Sequence, residues 1–140
     1  MTSQRGFSLV EALIALLVLS LGLVGVAAMQ LKALQSASLG YQRSVASVAA
    51  ADAQERLWAT LEPGQGCDAI DVGAVQTDWR DQWFEDSDHT PLRNAIESDS
   101  GIEKDSDEGA CRFTVTLALS EDANDQLDYT FRLPSLEGVQ

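Results

Sequence analysis

Glu11 is the residue whose setting most constrains the chemistry of this chain. Residues 7–31 hold no polar side chains other than Ser8, Glu11, Ser20 and Gln30, and residues 12–29 carry no charge. A charge at the centre of a bilayer costs about 2.5–3.5 kcal/mol on insertion scales, and less near the interface. Two settings relieve that cost for Glu11. The carboxylate can reach the headgroups, helped by the positive end of the helix dipole. Alternatively, it can pair with a cation once the helix enters an assembly, and only this second setting gives it a function.

The other reactive side chains offer less. Cys67 and Cys111 are the two cysteines, and no CxxC or Cys/His cluster accompanies them, so the spacings of zinc sites are absent. If the residues around them are exported, a Cys67–Cys111 disulfide is the simplest reading. It would stabilise by about 3–4 kcal/mol in the chain-entropy model. In a reducing compartment the same residues would be two buried thiols. Asp105, Asp107 and Glu108, and also Asp122, Asn124 and Asp125, are oxygen-rich enough to suggest calcium. Neither stretch has the twelve-residue ligand loop with its glycine and terminal glutamate, so both read as solvated acidic loops. His89, the single histidine, reads as a surface residue. Trp79, Trp83 and Phe84 suit either a binding patch or the core of a short helix, and core is the expectation. No Cys–His pair, nucleophile elbow, phosphate loop or metal-binding histidine pair is present. The sequence therefore reads as a non-enzyme with no cofactor and no catalytic or metal residues.

The elements that would carry these groups follow from pattern. The 140 residues suggest one domain, but the charge is divided. Residues 1–60 carry four basic and three acidic side chains, and residues 61–140 carry five basic and nineteen acidic ones, within a total of −13. Direct binding to nucleic acid is not expected of such a chain, because that needs clustered Lys and Arg. The apolar run is long enough to span a bilayer, roughly 37 Å as a helix over residues 7–31. Arg5 before it favours a cytoplasmic N-terminus, an argument that Lys32 weakens. No proline occurs before Pro63, and Leu31, Leu34, Ser38, Tyr41, Val45 and Val48 follow a helical seam. The spacing predicts one helix over residues 7–60, with its first half apolar all round and its second half amphipathic. Pro63 and Gly64 stop it, and Gly22 and Gly25 are places where it could loosen.

Beyond the helix, Thr77 is the expected cap of a short helix containing Val75, Trp79 and Trp83. Residues 85–109 read as a long polar surface loop. Strict alternation predicts strands over residues 112–119 and 127–133, joined as a hairpin by residues 120–126. Each strand has one apolar face, and the amphipathic half of the long helix is its natural cover.

The segment around Arg5, Gly6, Phe7 and Glu11 resembles the class III signal of type IV prepilins. That family has a short basic leader ending in glycine, then an apolar residue, then a glutamate five positions past the cut, then a long apolar helix. The resemblance covers about a third of the chain, over residues 5–56, and is most specific at those positions. Residues 21–30, and the alanine-rich stretch between Arg43 and Arg56, are similar to minor pilins in particular. It implies an α+β fold in which the helix packs on a small C-terminal antiparallel sheet. The implied organisation is a leader over residues 1–6, a transmembrane and assembly half over 7–31, an amphipathic half over 32–61, and an acidic head over 62–140. It further implies cleavage between Gly6 and Phe7 by a prepilin peptidase, N-methylation of Phe7, and a Glu11 that neutralises the new Phe7 amine of a neighbouring subunit. The implied partners are that peptidase, other minor pilins, the major pilin and a tip adhesin. The implied location is the bacterial inner membrane with a periplasmic head, then the pilus at or near its tip. Many pilins also carry a proline that kinks the helix; here any kink would have to come from Gly22, Gly25 or assembly contacts.

Two rival readings share parts of this pattern. A minor pseudopilin of a type II secretion system would have the same leader, Glu11 and stem. A periplasmic binding module tethered by residues 1–31 would keep Met1 and would not depend on Glu11.

Overall fold

A computed structural model describes residues 8–84, 90–92, 95–106, 111–122 and 124–136. It comprises helix α1 (Leu9–Ala59), a 3-10 turn (Cys67–Ala69), helix α2 (Val72–Phe84) and strands β1 (Ile96–Lys104), β2 (Arg112–Ala118) and β3 (Gln126–Arg132). Two compact units divide the chain, Met1–Gly40 and Tyr41–Gln140, and α1 contributes to both. The expected α+β architecture is present: a long N-terminal helix, with a small antiparallel sheet packed on its later part.

Helix α1 runs unbroken through Gly22, Gly25 and Gly40, so the expected loosening at the first two does not interrupt it. Its residues are strong helix formers, and no proline removes a backbone donor before Pro63. The end is built from local bonds. Thr60 donates its N–H and its hydroxyl to Leu57 O, and Leu61 N–H donates to Trp58 O at 3.1 Å. Glu62 O then accepts Gln65 N–H at 3.1 Å across Pro63 and Gly64, and Gly64 has φ 82°. Proline second and a left-handed glycine third is the chemistry of a type II turn.

In the second unit, α1 buries Ala46, Ala49, Ala50, Ala53 and Leu57. This differs from the expected seam: Val45 is half-buried, but Tyr41 and Val48 are exposed. The physical reason is size. A helix shared by a sheet and a second helix is approached most closely along its smallest side chains, and alanines at 46, 49, 50 and 53 lie on one face. Trp79, fully buried on α2, donates Nε1–H to Ala49 O at 2.9 Å. Trp83 donates Nε1–H to Asp52 Oδ2 at 2.8 Å, and the same oxygen accepts Arg56 Nε–H at 2.7 Å. Trp79, Trp83 and Phe84 are therefore core, and the two indoles also bond α2 to α1.

The cap of α2 is Asp71 rather than Thr77. Asp71 Oδ1 accepts Ala74 N–H at 3.0 Å, and Asp71 O accepts Val75 N–H. Ile70 before the cap and Val75 within the helix are both buried, the pattern of a hydrophobic staple. Thr77 lies inside the helix, with its hydroxyl bonded to Gly73 O.

The sheet has the order β1-β2-β3, all antiparallel. Strands β2 and β3 fall where alternation placed them. Phe113, Val115, Leu117 and Phe131 face the core, and Thr114–Thr130 and Thr116–Asp128 hydrogen bonds cross the outer face. Strand β1 corrects the expectation of a long loop over residues 85–109. Its pairing with β2 shifts between Ile96 and Gly101, so alternation is lost. Ser100, 1% exposed, holds the irregularity: Oγ–H donates to Ile96 O at 2.7 Å, and Oγ accepts Ala118 N–H at 3.0 Å. Helix α2 covers the outer edge of β1. Gln76 Oε1 accepts Ile102 N–H at 2.7 Å, and Arg80 Nε–H donates to Ser100 O at 3.1 Å.

Two variants test this packing by urea unfolding of the full chain in detergent. Trp79→Ala is expected to cost about 3–5 kcal/mol, through the cavity it leaves and the lost Nε1–H bond to Ala49 O. Ala50→Leu is expected to cost about 1–3 kcal/mol by overpacking. Unchanged midpoints would contradict the arrangement.

Candidate assembly stem and head surface

The first unit offers one long apolar surface. Ser8 O accepts the N–H groups of Glu11 at 3.0 Å and Ala12 at 3.2 Å, so α1 starts one turn before Glu11. Glu11 is exposed and lies in that first turn, where the backbone N–H dipoles favour a negative charge. Beyond it Leu13, Ile14, Leu16, Leu17, Val18, Leu19 and Leu21 are all more than half exposed. Ser20 turns its hydroxyl inward to Leu17 O at 2.8 Å, which removes a polar group from this surface. No other atom lies within 4 Å of a Cβ built at Gly22 or Gly25. The helix is long and apolar enough to cross a membrane. Gly6 and Phe7, the expected cleavage and methylation positions, lie outside the described residues.

The second unit carries the remaining candidates. Cys67 and Cys111 are disulfide-bonded and buried, tying the 3-10 turn to the start of β2. Next to them Leu133 N–H donates to Cys111 O at 2.8 Å, so the bridge also secures the end of β3. Among the described residues, no group of three or more His, Cys, Asp or Glu could hold a metal ion. Asp122 Oδ1 instead accepts the backbone N–H and the side-chain amide of Asn124, both at 3.0 Å. Those two bonds, the backbone one first, hold the Asp122 carboxyl below the ordinary aspartate value. Asp125 pairs with Arg43 at 3.3 Å, and Asp105 with Arg112 at 3.1 Å. Asp107, Glu108 and His89 lie outside the described residues.

Arg80 and Gln76, which partner a strand edge, are not among the residues that the sequence singles out. Nothing local in the sequence announces that role, because both are good helix formers on a polar helix face.

Residues 1–27 match the family model described as the prokaryotic N-terminal methylation motif. No curated protein and no solved structure matches the chain. Together with the exposed apolar helix, the motif supports a membrane-anchored, type IV prepilin-like protein, either a pilin or a pseudopilin. Proteins of that type are structural, and nothing positive points to catalysis.

Two measurements probe the head. Replacing Cys67 and Cys111 by serine is expected to lower its unfolding free energy by about 3–4 kcal/mol, and reductant should do the same to the wild type. Asp122 has a depressed folded pKa. Its contribution to stability is therefore present above the unfolded pKa and is lost as pH falls through the folded value. Asn124→Ala removes the side-chain donor and keeps the backbone one, so the Asp122 pKa should rise part of the way back in an NMR titration.

Proposed function

We propose that this protein is a minor type IV pilin. It is made as a prepilin, cut between Gly6 and Phe7, N-methylated on Phe7, and carried into a small minor-pilin complex that primes pilus assembly. The observation that carries the reading is the methylation motif over residues 1–27, set directly on a helix whose apolar side chains face outward.

The physics is that of a stem that needs neighbours. In the inner membrane the lipid solvates residues 12–31. On leaving it, the same surface must be covered by other helices, because an apolar surface of that extent is not left in water. Glu11 then enters an apolar bundle and requires a cation. The free amine of Phe7 on an adjacent subunit supplies one, which fixes the axial register between two stems. The head adds lateral contacts to other minor pilins, the major pilin or a tip adhesin. Within the pilin class, residues 21–30, and Arg43 followed by the alanine-rich stretch to Arg56, resemble the minor pilin PilV, a type IV pilus modification protein. That resemblance is what implies the priming role, while the Gly22 and Gly25 texture and the longer head favour a pilus over a type II secretion machine.

Mass spectrometry of the wild-type protein should find a mature N-terminus at N-methyl-Phe7; retention of Met1 would sink the pilin reading. Glu11→Ala is expected to leave cleavage intact and abolish incorporation. In a clean deletion, surface pili counted by electron microscopy should vanish or thin while type II secretion holds. Normal pili with failed secretion would instead assign the protein to the secretion machine.

A further inference from the structure

The head has a second surface whose chemistry is left open within the chain. Near the C-terminal end of α1, Gln54, Glu55, Trp58 and Ala59 line an apolar hollow of about 240 Å3. Trp58 is 54% exposed, whereas Trp79 and Trp83 are buried. Gln54 Oε1 accepts the Tyr129 hydroxyl at 2.7 Å, which fixes one wall of the hollow. Trp58 therefore leaves about half of its side chain open to solvent beside a Gln54 held by Tyr129.

Glu55 lies three residues before Trp58, on the same side of the helix. The helical neighbours that could neutralise it are Ala51, Asp52, Trp58 and Ala59, and none is a cation. Asp52, by contrast, is answered by Arg56 at 2.7 Å. Several other cations of the head already have partners within it. Arg43 pairs with Asp125, Lys104 with Asp68, Arg112 with Asp105, and Arg80 bonds Ser100 O. Among the described residues no ion pair involves Glu55, and the head around it is strongly acidic, so a charge that complements Glu55 is to be sought on another chain.

We propose that this hollow receives an arginine side chain from the head of a neighbouring subunit. The guanidinium stacks on the Trp58 indole and pairs with the Glu55 carboxylate, while its methylenes cover Ala59 and the stem of Gln54. Arginine suits this better than lysine, because its plane stacks on an aromatic face and is more weakly hydrated. The acidic head steers such a partner towards it. The inference rests on the pilin reading only in requiring an adjacent subunit.

The test is photo-cross-linking in producing cells, with the full chain carrying a photoreactive phenylalanine analogue in place of Trp58. The expected adduct joins position 58 to another subunit's head at a peptide containing arginine. Adding Glu55→Lys should cut its yield by at least about fivefold, a loss of the size that turning an ion pair into like-charge repulsion can produce. Glu121→Lys, the same charge change in the β2–β3 loop, should not. Oxidation of Cys67 and Cys111, read by thiol blocking, shows that each head has folded; if Glu55→Lys fails that check, Glu55→Gln takes its place. The N-terminus is sequenced in the same cells, so loss of processing, which overturns the pilin reading, is seen separately. An absent adduct, an adduct to lipid alone, a peptide without arginine, or equal losses with both lysine variants each overturn the docking site.

Discussion

The head depends on how closely other elements can approach one side of α1. Ala46, Ala49, Ala50 and Ala53 are all fully buried, and each contributes only a methyl group. That lets Trp79 lie against the helix backbone, near enough for its N–H to bond a main-chain carbonyl. The indole in turn makes an edge contact with Phe84, at 5.6 Å between centroids. Phe113 and Phe131 stack across the sheet at 5.8 Å and belong to the same core. A large residue in the alanine stripe would push these rings outward together, because interiors are too closely packed to absorb the change. Small side chains on one helix thus carry the placement of a second helix and a sheet.

Edge protection follows from the same docking. Strand β1 is polar and irregular, and isolated it would be a poor strand. It persists because β2 pairs with one side and α2 supplies side-chain partners on the other. Gln76 and Arg80 offer an acceptor and a donor where another strand would have placed its backbone groups. They satisfy those groups and leave less room for foreign strands to add there.

The two units divide their interactions by type. The first presents apolar surface and a single carboxylate, Glu11, in its first turn. The second turns most of its apolar residues inward, is joined by a disulfide, and pairs many of its cations internally. Acidic excess therefore remains on the outside of the head. Such a surface stays soluble and selects basic partners. An apolar stem gains most from partners like itself.

Local pattern by itself determined the long helix, its stop at Pro63 and Gly64, the two alternating strands and the N-terminal signal. Each rests on residues adjacent in sequence: an uninterrupted apolar run, a proline before a glycine, a period of two, a glutamate at a set distance from a glycine. Tertiary structure alone decided which face of α1 is buried, since side-chain size outweighed the periodic seam through Tyr41 and Val48. It also decided that residues 96–104 form a strand. Their pattern is broken by the shift at Ser100, and the bonds that hold them come from Ala118, Gln76 and Arg80, distant in sequence. Asp71 displaced Thr77 as the cap because Ile70 and Val75 anchor the helix start in the core. The hollow beside Trp58 was equally invisible, since its wall depends on Tyr129 reaching Gln54 across the fold. Contacts between distant residues leave no period in the chain, so only the folded arrangement reveals them.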